Sequence, residues 1–376
     1  MGSERVMRKH KNVANVSIGQ TTKGEKGEVP MAFTQVRPPS ESSDASNWPE
    51  DQQFCCVPTE VLATLRGRRI AIPAPSYQLS TKDGTIDHAR RERILEGIER
   101  FGMTPVLMGG VFEQDGRFAG SDARRAEDLQ TAMSLPDIDL VMALRGGYGM
   151  TRLLDRFDWE RLTKTTTPVI GYSDFTAFNL ALLASTGKSS WHGPMASSFE
   201  NIDPFTLERF AAVFGYRVGP LEWQTEKMFL GRVSAGITSY EGQLWGGNLC
   251  LIHSLIGTPW MPSVAKTGGM LFLEDVSESA YRVERMLLTL LDSGILLRQR
   301  AILLGSFTNA DDACRFEGDH TLAGTFAYIR SRLPKYIPMV TGLPFGHVPK
   351  QATLPVGRHA TFELEGASGK VRLDWV

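Results

Sequence analysis

The segment VIGYSDFTAFNLALLA, residues 169–184, decides the fold class that this sequence predicts. Residues 168–172 form an apolar run of strand length, and residues 174–184 are apolar enough for a buried helix that follows without a connecting loop. Ser173 occupies the turn between the two. A strand that leads directly into a helix indicates an α/β domain with a parallel sheet.

The residues upstream of this segment continue the alternation of strands and helices. Three apolar runs predict strands at residues 69–74, 104–108 and 139–144. Helical spacing of apolar residues predicts helices at residues 87–101 and 121–134. A glycine follows the first helix and a serine opens the second, and both are typical helix boundaries. These elements extend the predicted parallel sheet.

The second half of the chain predicts a smaller domain of mixed β and α structure. Apolar runs at residues 270–276 and 301–307 predict strands on either side of a helix at 280–292, and residues 353–376 alternate between apolar and polar positions. Few apolar residues precede this folded part, which predicts a flexible extension at the start of the chain. The predicted units are a flexible extension at 1–60, the α/β domain at 61–200, a linker at 201–240 and the C-terminal domain at 241–376.

The overall composition limits the compartment and the partners of the protein. The 376 residues include 41 Lys and Arg against 42 Asp and Glu, which gives a formal net charge of −1. The protein therefore has no excess of positive charge to attract nucleic acid or an anionic membrane. The four cysteines show no CxxC spacing, which favours a reducing compartment. No apolar run reaches membrane-spanning length, and no apolar signal core follows the basic first residues. We therefore expect a cytoplasmic protein that binds neither nucleic acid nor membrane.

Ser173 has two interpretations from its local pattern. On a sharp strand-to-helix turn its hydroxyl is held at the carboxyl end of the sheet, and the backbone N–H groups that follow point toward developing negative charge. However, Phe175 replaces the last glycine of the usual Gly-x-Ser-x-Gly elbow. A serine that only caps the helix fits the same pattern.

Two adjacent glycines, Gly146 and Gly147, follow the predicted strand at 139–144 in the segment ALRGGYGM. Glycines let the backbone approach a ligand closely, and one of their N–H groups is a candidate oxyanion donor. The segment lacks both the Gly-Lys-Ser/Thr ending of a phosphate loop and the G-x-G-x-x-G fingerprint. A plain tight turn also fits.

Glu274 and Asp275 end the apolar strand LFLED. A carboxylate at the end of a buried strand needs a partner. A histidine is one candidate, because a carboxylate fixes the imidazole tautomer and stabilises the imidazolium. A salt bridge to Arg282 or Arg285 is the alternative, and it applies most readily to Asp275.

Two of the seven histidines are candidate bases. His347 lies in the Gly- and Pro-rich segment GLPFGHVPK, and His192 lies in the segment Trp191-His192-Gly193-Pro194, a candidate ligand-lining stretch. The chain contains no HExxH motif and no paired Cys or His spacing. We therefore predict neither a metal nor a cofactor.

Nine segments in one order resemble the LD-carboxypeptidase family, the muramoyltetrapeptide carboxypeptidases of bacterial cell-wall recycling. The segments are AIPAPS, RFAGSDARRAEDL, ALRGGYGMTRLL, VIGYSDFTA, HGPM, GQLWGGNLCLIHSLIGTPWMP, LFLEDVSESAYRVERMLLTLLDSGIL, ILLGSF and GLPFGH. The resemblance implies an N-terminal α/β domain with a nucleophile elbow, a smaller C-terminal β/α domain and a homodimer. The long N-terminal extension is atypical of the family.

The resemblance also implies a Ser-Glu-His triad assembled across the cleft between the two domains. Ser173 matches the nucleophile of the GYSD motif, and Glu274 and His347 match the LED and FGH motifs. The oxyanion hole implied by the family comes from the backbone N–H groups of Asp174 and Gly147. The same order of nucleophile, acid and base occurs in α/β-hydrolases.

The reaction implied by the resemblance is hydrolysis of the bond between the L centre of diaminopimelate and the terminal D-alanine of a murein tetrapeptide. A free substrate carboxylate calls for a cation, and Arg145 is a candidate. Trp191 and His192 are further candidates for substrate binding. One alternative is a microcin-immunity peptidase with the same triad that cleaves peptide- or aminoacyl-nucleotide toxins. Another is a muropeptide-binding module without catalysis.

Overall fold

The computed structural model describes Gln35–Val36, Phe54 and residues 56–375. Most of the predicted extension at 1–60 lies outside the described residues. Within them the chain forms two seven-stranded sheets. The strands are, in chain order, β1 Gln35–Val36, β2 Arg69–Ile72, β3 Thr104–Leu107, β4 Leu140–Met142, β5 Val169–Ile170, β6 Ser190–His192, β7 Leu221–Gln224, β8 Ile237–Asn248, β9 Met270–Val276, β10 Ala301–Thr308, β11 Met339–Val340, β12 Leu354–Val356, β13 His359–Glu365 and β14 Lys370–Trp375.

The helices connect the parallel strands and cover the sheets. They are α1 Thr59–Leu65, α2 His88–Glu99, α3 Asp122–Ser134, α4 Trp159–Lys164, α5 Thr176–Thr186, α6 Pro204–Phe210, α7 Leu249–Ser254, α8 Val264–Thr267, α9 Ala280–Asp292, α10 Ile295–Arg298 and α11 Leu322–Arg332. Strand 270–276 and helix 280–292 are confirmed with their predicted bounds. No helix of the described residues is long and apolar enough to cross a membrane.

The first sheet has the order β1-β3-β2-β4-β5-β6-β12. Strands β2 to β6 pair in parallel, whereas β1 and β12 are antiparallel edge strands. The predicted parallel α/β sheet is therefore confirmed. Strands β4 and β5 are neighbours, so the segments that follow their carboxyl ends, the Gly146–Gly147 loop and the Ser173 turn, meet at one edge of the sheet.

The second sheet has the order β11-β10-β9-β8-β13-β14-β7 and mixes parallel with antiparallel pairs. Strand β8 joins the antiparallel part of this sheet to its parallel part. Its residues Ile237–Gln243 pair antiparallel with β13, and its residues Leu244–Asn248 pair in parallel with β9. The mixed β/α character predicted for this part is confirmed. Glu274 lies near the carboxyl end of β9, directly opposite Asn248 of β8.

The two sheets exchange segments of the chain. Strand β7, from the predicted linker at 201–240, forms an edge of the second sheet. Strand β12, from the C-terminal unit, pairs with β6 in the first sheet. One apolar cluster also extends from Val141 and Phe178 of the first sheet and its helix to Phe272 of the second. The domain bounds proposed from the sequence stay a prediction.

Candidate active site

Ser173 lies on a tight turn between β5 and α5. A single 3₁₀ turn, Ser173–Phe175, separates the strand from the helix. The φ angle of Ser173 is 61°, a left-handed conformation that costs a residue with a Cβ about 1–3 kcal/mol. The Ser173 hydroxyl bonds to His347 and forms no cap hydrogen bond to the helix. The geometry therefore favours a partly exposed, oriented hydroxyl over a helix cap.

The structure brings together the three residues of the predicted triad. His347 Nε2 is 3.0 Å from Ser173 Oγ, and His347 Nδ1 is 2.7 Å from Glu274 Oε2. Glu274 is fully buried, whereas the His347 side chain is 20% exposed. An ionised carboxylate only accepts hydrogen bonds, so the proton lies on Nδ1 and Nε2 is left to accept from the serine hydroxyl.

Asn248 holds the other oxygen of the Glu274 carboxylate. Its Nδ2 donates to Glu274 Oε1 at 3.1 Å, and its Oδ1 accepts from Leu251 N at 3.2 Å, which caps α7. The Asn248 N–H donates to Thr176 Oγ1 at 3.1 Å in α5. Sequence reasoning missed this residue, although the quoted WGGN segment contains it. The signal was a polar side chain at the end of a strand next to the one that carries Glu274.

Asp275 has a different environment from Glu274. Its oxygens accept hydrogen bonds from Cys250 N at 2.9 Å and from Val276 N at 2.7 Å. The first of these bonds gives an acceptor to a backbone N–H group at the start of α7. Arg282 pairs with Glu278 at 2.8 Å, and the proposed salt bridge from Arg282 to Asp275 is not seen. Burial, reinforced by the neighbouring Glu274, raises the pKa of Asp275 to about 7.

The glycine loop after β4 lies against the nucleophile. A Cβ at Gly146 would sit 2.9 Å from Ser173 Oγ, and one at Gly147 would sit 2.4 Å from the Tyr77 ring, so neither position has room for a side chain. Gly147 also has a φ of 128°. Among the described residues, neither the Gly147 N–H nor the Asp174 N–H donates a hydrogen bond. Neither predicted oxyanion donor is therefore engaged by an acceptor of the described residues.

The Asp174 carboxylate joins the serine turn to this loop. It accepts from Ser76 Oγ at 2.6 Å and from Met150 N at 2.9 Å. Asp174 is almost completely buried, and burial raises the pKa of its carboxyl. The sequence drew attention only to the backbone of Asp174. Its side chain fixes the loop that carries Gly146 and Gly147 relative to Ser173.

A cavity of about 320 Å³ opens beside His347. Tyr172 forms one wall, and its ring meets the His347 imidazole edge-on at 5.0 Å between centroids. Burial, followed by the charge of Glu274, raises the pKa of Tyr172 to about 12. Glu200 lies on another wall, where Arg90 and Arg93 hold its carboxylate at 2.9 and 2.8 Å. Polar side chains line much of the cavity, and the His347 side chain forms part of its wall.

None of the three predicted substrate-binding residues lines that cavity. His192 is fully buried, with Nε2 3.3 Å from Thr176 Oγ1, and burial lowers its pKa well below the ordinary value, with His347 adding to the effect. Trp191 is buried under the guanidinium of Arg358, 4.7 Å from its ring, and lines a different cavity. Neither is a wall of the His347 cavity, and their role in substrate binding stays a prediction.

Arg145 lies at the start of the glycine loop and is half-buried. Its Nε donates to Gly146 O at 3.2 Å and its Nη1 to Gln78 O at 3.4 Å. No ion pair joins it to a carboxylate of the described residues. These residues also contain no cluster of three or more His, Cys, Asp or Glu side chains arranged to hold a metal ion.

Sequence models of one protein family match both parts of the chain. The LD-carboxypeptidase N-terminal domain matches residues 70–193, and the LD-carboxypeptidase C-terminal domain matches residues 241–362. The chain belongs to the LD-carboxypeptidase family. The resemblance predicted from the nine sequence segments is confirmed.

Known LD-carboxypeptidases and their structural relatives match most of this chain. The murein tetrapeptide carboxypeptidase of Pseudomonas aeruginosa is 32% identical over 78% of this chain and 93% of the relative. The crystal structure of a muramoyltetrapeptide carboxypeptidase from Oxalobacter formigenes is 37% identical, covers 81% of this chain and 98% of its own, and has a TM-score of 0.68. The microcin C7 self immunity protein covers 82% of this chain and 96% of its own with a TM-score of 0.68, but at 23% identity it shows the fold alone.

Proposed function

We propose that this chain is a serine-type LD-carboxypeptidase that releases the terminal D-alanine from murein tetrapeptides. The observation that carries the proposal is the hydrogen-bonded series Ser173–His347–Glu274, at 3.0 and 2.7 Å. A serine, a histidine and a buried carboxylate in this order form an activated nucleophile. The names of the Pseudomonas and Oxalobacter relatives support the substrate.

In the proposed reaction, His347 takes the proton of Ser173 while Oγ attacks the carbonyl carbon at the L centre of diaminopimelate. Glu274 stabilises the imidazolium that forms. The oxyanion of the tetrahedral intermediate accepts hydrogen bonds from the N–H groups of Asp174 and Gly147. His347 then protonates the departing amine of D-alanine, and water hydrolyses the acyl-enzyme by the same route.

We further infer that the protein is a cytoplasmic homodimer that uses no cofactor and binds no nucleic acid. The formal net charge of −1 supports the last point, because phosphate backbones bind clusters of positive charge. Of the described cysteines, Cys250 and Cys314 are free thiols, which agrees with a reducing compartment. Light scattering of the purified protein tests the dimer, and fractionation of the producing cells tests the compartment.

The decisive experiment measures D-alanine released from purified murein peptides. We expect release from the tetrapeptide, whose terminal bond is L,D, and none from the pentapeptide, whose terminal bond is D,D. Ser173→Ala should lower kcat by about 10⁴-fold or more, since the attacking atom is removed. Full activity of Ser173→Ala would overturn the mechanism. Cleavage of an aminoacyl sulfamoyl adenosine but not of the tetrapeptide would instead favour the microcin-immunity alternative.

A further inference from the structure

Arg145 is a half-buried cation in the loop beside the candidate nucleophile, and no carboxylate of the described residues pairs with it. A guanidinium carries five N–H donors, and only two of these contact a described residue, at 3.2 and 3.4 Å and both to backbone carbonyls. Arg90, of like charge, acts on Arg145, and the neutral phenol side chains of Tyr77 and Tyr172 are its other neighbours. Burial, and then Arg90, lower the pKa of Arg145.

Three other buried or half-buried arginines of the described chain have stronger partners, whereas Arg209 and Arg358 resemble Arg145 in pairing with no carboxylate of the described residues. Arg125 pairs with Asp122, and Arg124 pairs with Glu113 at 2.8 Å. Arg330 pairs with no carboxylate but donates to three backbone carbonyls, including that of Leu333 at 2.9 Å. A partly desolvated charge with weaker partners than these is unfavourable unless a ligand supplies the missing interaction. The weak contacts of Arg145, together with its place in the loop that lies against Ser173, therefore indicate a site for an anion.

The residues around Arg145 are those that touch the reacting groups. Gly146, the next residue, contacts Ser173. Tyr77 covers Gly147 and also faces the Arg145 guanidinium, 5.9 Å from its ring centroid. Tyr172, the third neighbour, contacts the His347 ring. An anion bound to Arg145 would lie among the groups that surround the scissile bond.

We propose that Arg145 binds the terminal carboxylate of the peptide substrate. This inference rests on the proposed function, in which that carboxylate belongs to the departing D-alanine. It lies two covalent bonds beyond the scissile nitrogen, so its partner must belong to the same small group of residues as the nucleophile. A planar guanidinium matches a carboxylate through two parallel hydrogen bonds. The same contact would explain why only the terminal L,D bond is cleaved. At an internal L,D bond the residue after the scissile bond carries an amide in place of the free carboxylate that Arg145 would bind.

The test compares a tetrapeptide that has a free terminal carboxylate with the same peptide ending in D-alaninamide. We expect the wild-type kcat/KM to favour the acid by about 10²-fold or more, because the amide leaves the guanidinium unpaired. Arg145→Ala should lower kcat/KM for the acid by a similar factor, leave the amide nearly unchanged and bring the ratio close to one. Arg145→Lys should recover part of the preference, since it restores the charge without the fork.

Arg117→Ala is the matched control. Arg117 also faces the Tyr77 ring, at 5.2 Å, and its Nη1 donates to the Tyr77 hydroxyl at 2.9 Å, but it is exposed. We expect Arg117→Ala to keep the acid-over-amide ratio of the wild type. Equal losses for acid and amide in Arg145→Ala would assign it a structural role and overturn the proposal. Loss of the ratio in Arg117→Ala alone would also overturn it.

A binding measurement separates this inference from the proposed function. Calorimetry on Ser173→Ala measures the affinity for the acid and for the amide without cleavage. We expect tighter binding of the acid, and loss of that difference in the double variant Ser173→Ala, Arg145→Ala. If the wild type cleaves no tetrapeptide, the proposed function fails, yet carboxylate-dependent binding through Arg145 would still support the anion site. Equal binding of acid and amide would overturn the anion site even in an active enzyme.

Discussion

At the scale of single residues, both oxygens of the fully buried Glu274 carboxylate have partners. His347 takes one oxygen and Asn248 takes the other. A buried carboxylate that loses one hydrogen bond keeps the cost of its lost hydration, about 1–3 kcal/mol or more. We therefore expect Asn248 to be a positioning residue, which keeps Glu274 oriented toward the imidazole.

Substitution of Asn248 separates this positioning role from its role in capping α7. Asn248→Ala removes both, and we expect kcat to fall about 10- to 100-fold and the unfolding free energy to fall by about 1–3 kcal/mol. Asn248→Ser keeps a side-chain oxygen that can accept from Leu251 N at the start of α7, but its shorter side chain carries no amide to donate to Glu274. Its stability to denaturant should therefore recover while its kcat stays low. A normal kcat in either variant would contradict the positioning role.

At the scale of secondary-structure elements, much of the fold was predictable because local patterns determine it. Helix 280–292 and strand 270–276 have strong periodicity and bounds that match. The predicted strand 168–172 is shorter in the structure, Val169–Ile170, because strand pairing ends before the backbone turns sharply at Ser173. Strand β8 was not predicted as a strand, since its change of partner from β13 to β9 depends on long-range pairing.

The candidate site shows the same division between local and long-range information. Ser173, Glu274 and His347 were predictable because each ends or follows a recognisable element within a family motif. Asn248 was missed because its partner is 26 residues away in sequence and only strand register brings them together. The Asp174 carboxylate was missed for a related reason, since Ser76 is 98 residues away. Sequence reasoning found the three residues of the candidate triad but not the side chains that hold them.

The start of α7 carries a pH-dependent contribution to stability through Asp275. Burial raises its pKa from 3.8 to about 7, so between these values the folded protein binds a proton that the unfolded chain has released. The contribution of Asp275 to the unfolding free energy is therefore fully present below pH 3.8. It decreases as pH rises from 3.8 to about 7, by up to about 4 kcal/mol in total. Asp275→Asn cannot ionise and should remove this part of the decline.

Denaturant unfolding between pH 4.5 and 8 measures the effect. We expect the unfolding free energy of Asp275→Asn to fall less steeply with pH than that of the wild type. Asp155→Asn is the matched control, because Asp155 is exposed and the substitution is the same. An identical slope in Asp275→Asn and wild type would show that Asp275 keeps an ordinary pKa in the folded protein.

At the scale of the whole molecule, the candidate site exists only where the two sheets meet. Ser173 follows a strand of the first sheet, and Glu274 lies in the second sheet. His347 lies between β11 of the second sheet and β12 of the first, so its loop crosses from one sheet to the other. The 3.0 Å contact between His347 and Ser173 therefore depends on how this loop is held.

Thr206 of α6 is the residue that holds the crossing loop to the first half of the chain. Its buried hydroxyl donates to Pro349 O at 2.9 Å and accepts from Gln351 N at 2.8 Å, and Gln351 Nε2 donates to Gly346 O at 2.8 Å beside His347. Thr206→Val keeps the shape but removes both hydroxyl bonds. We expect kcat to fall about tenfold with little change in KM, because the His347 imidazole would spend less time in line with Ser173.

The matched control for the crossing loop is Thr163→Val, which removes an exposed hydroxyl bonded only to the carbonyl of Trp159 within α4. We expect its kcat to equal that of the wild type. Because Thr206→Val also leaves buried backbone groups unpaired, the unfolding free energy of both variants must be measured alongside kcat. Unchanged kcat in a destabilised Thr206→Val would mean that the loop holds His347 through the packing of its neighbours alone. Reduced kcat in a protein that remains folded at the assay temperature would show that the union of the two sheets sets the geometry of the site.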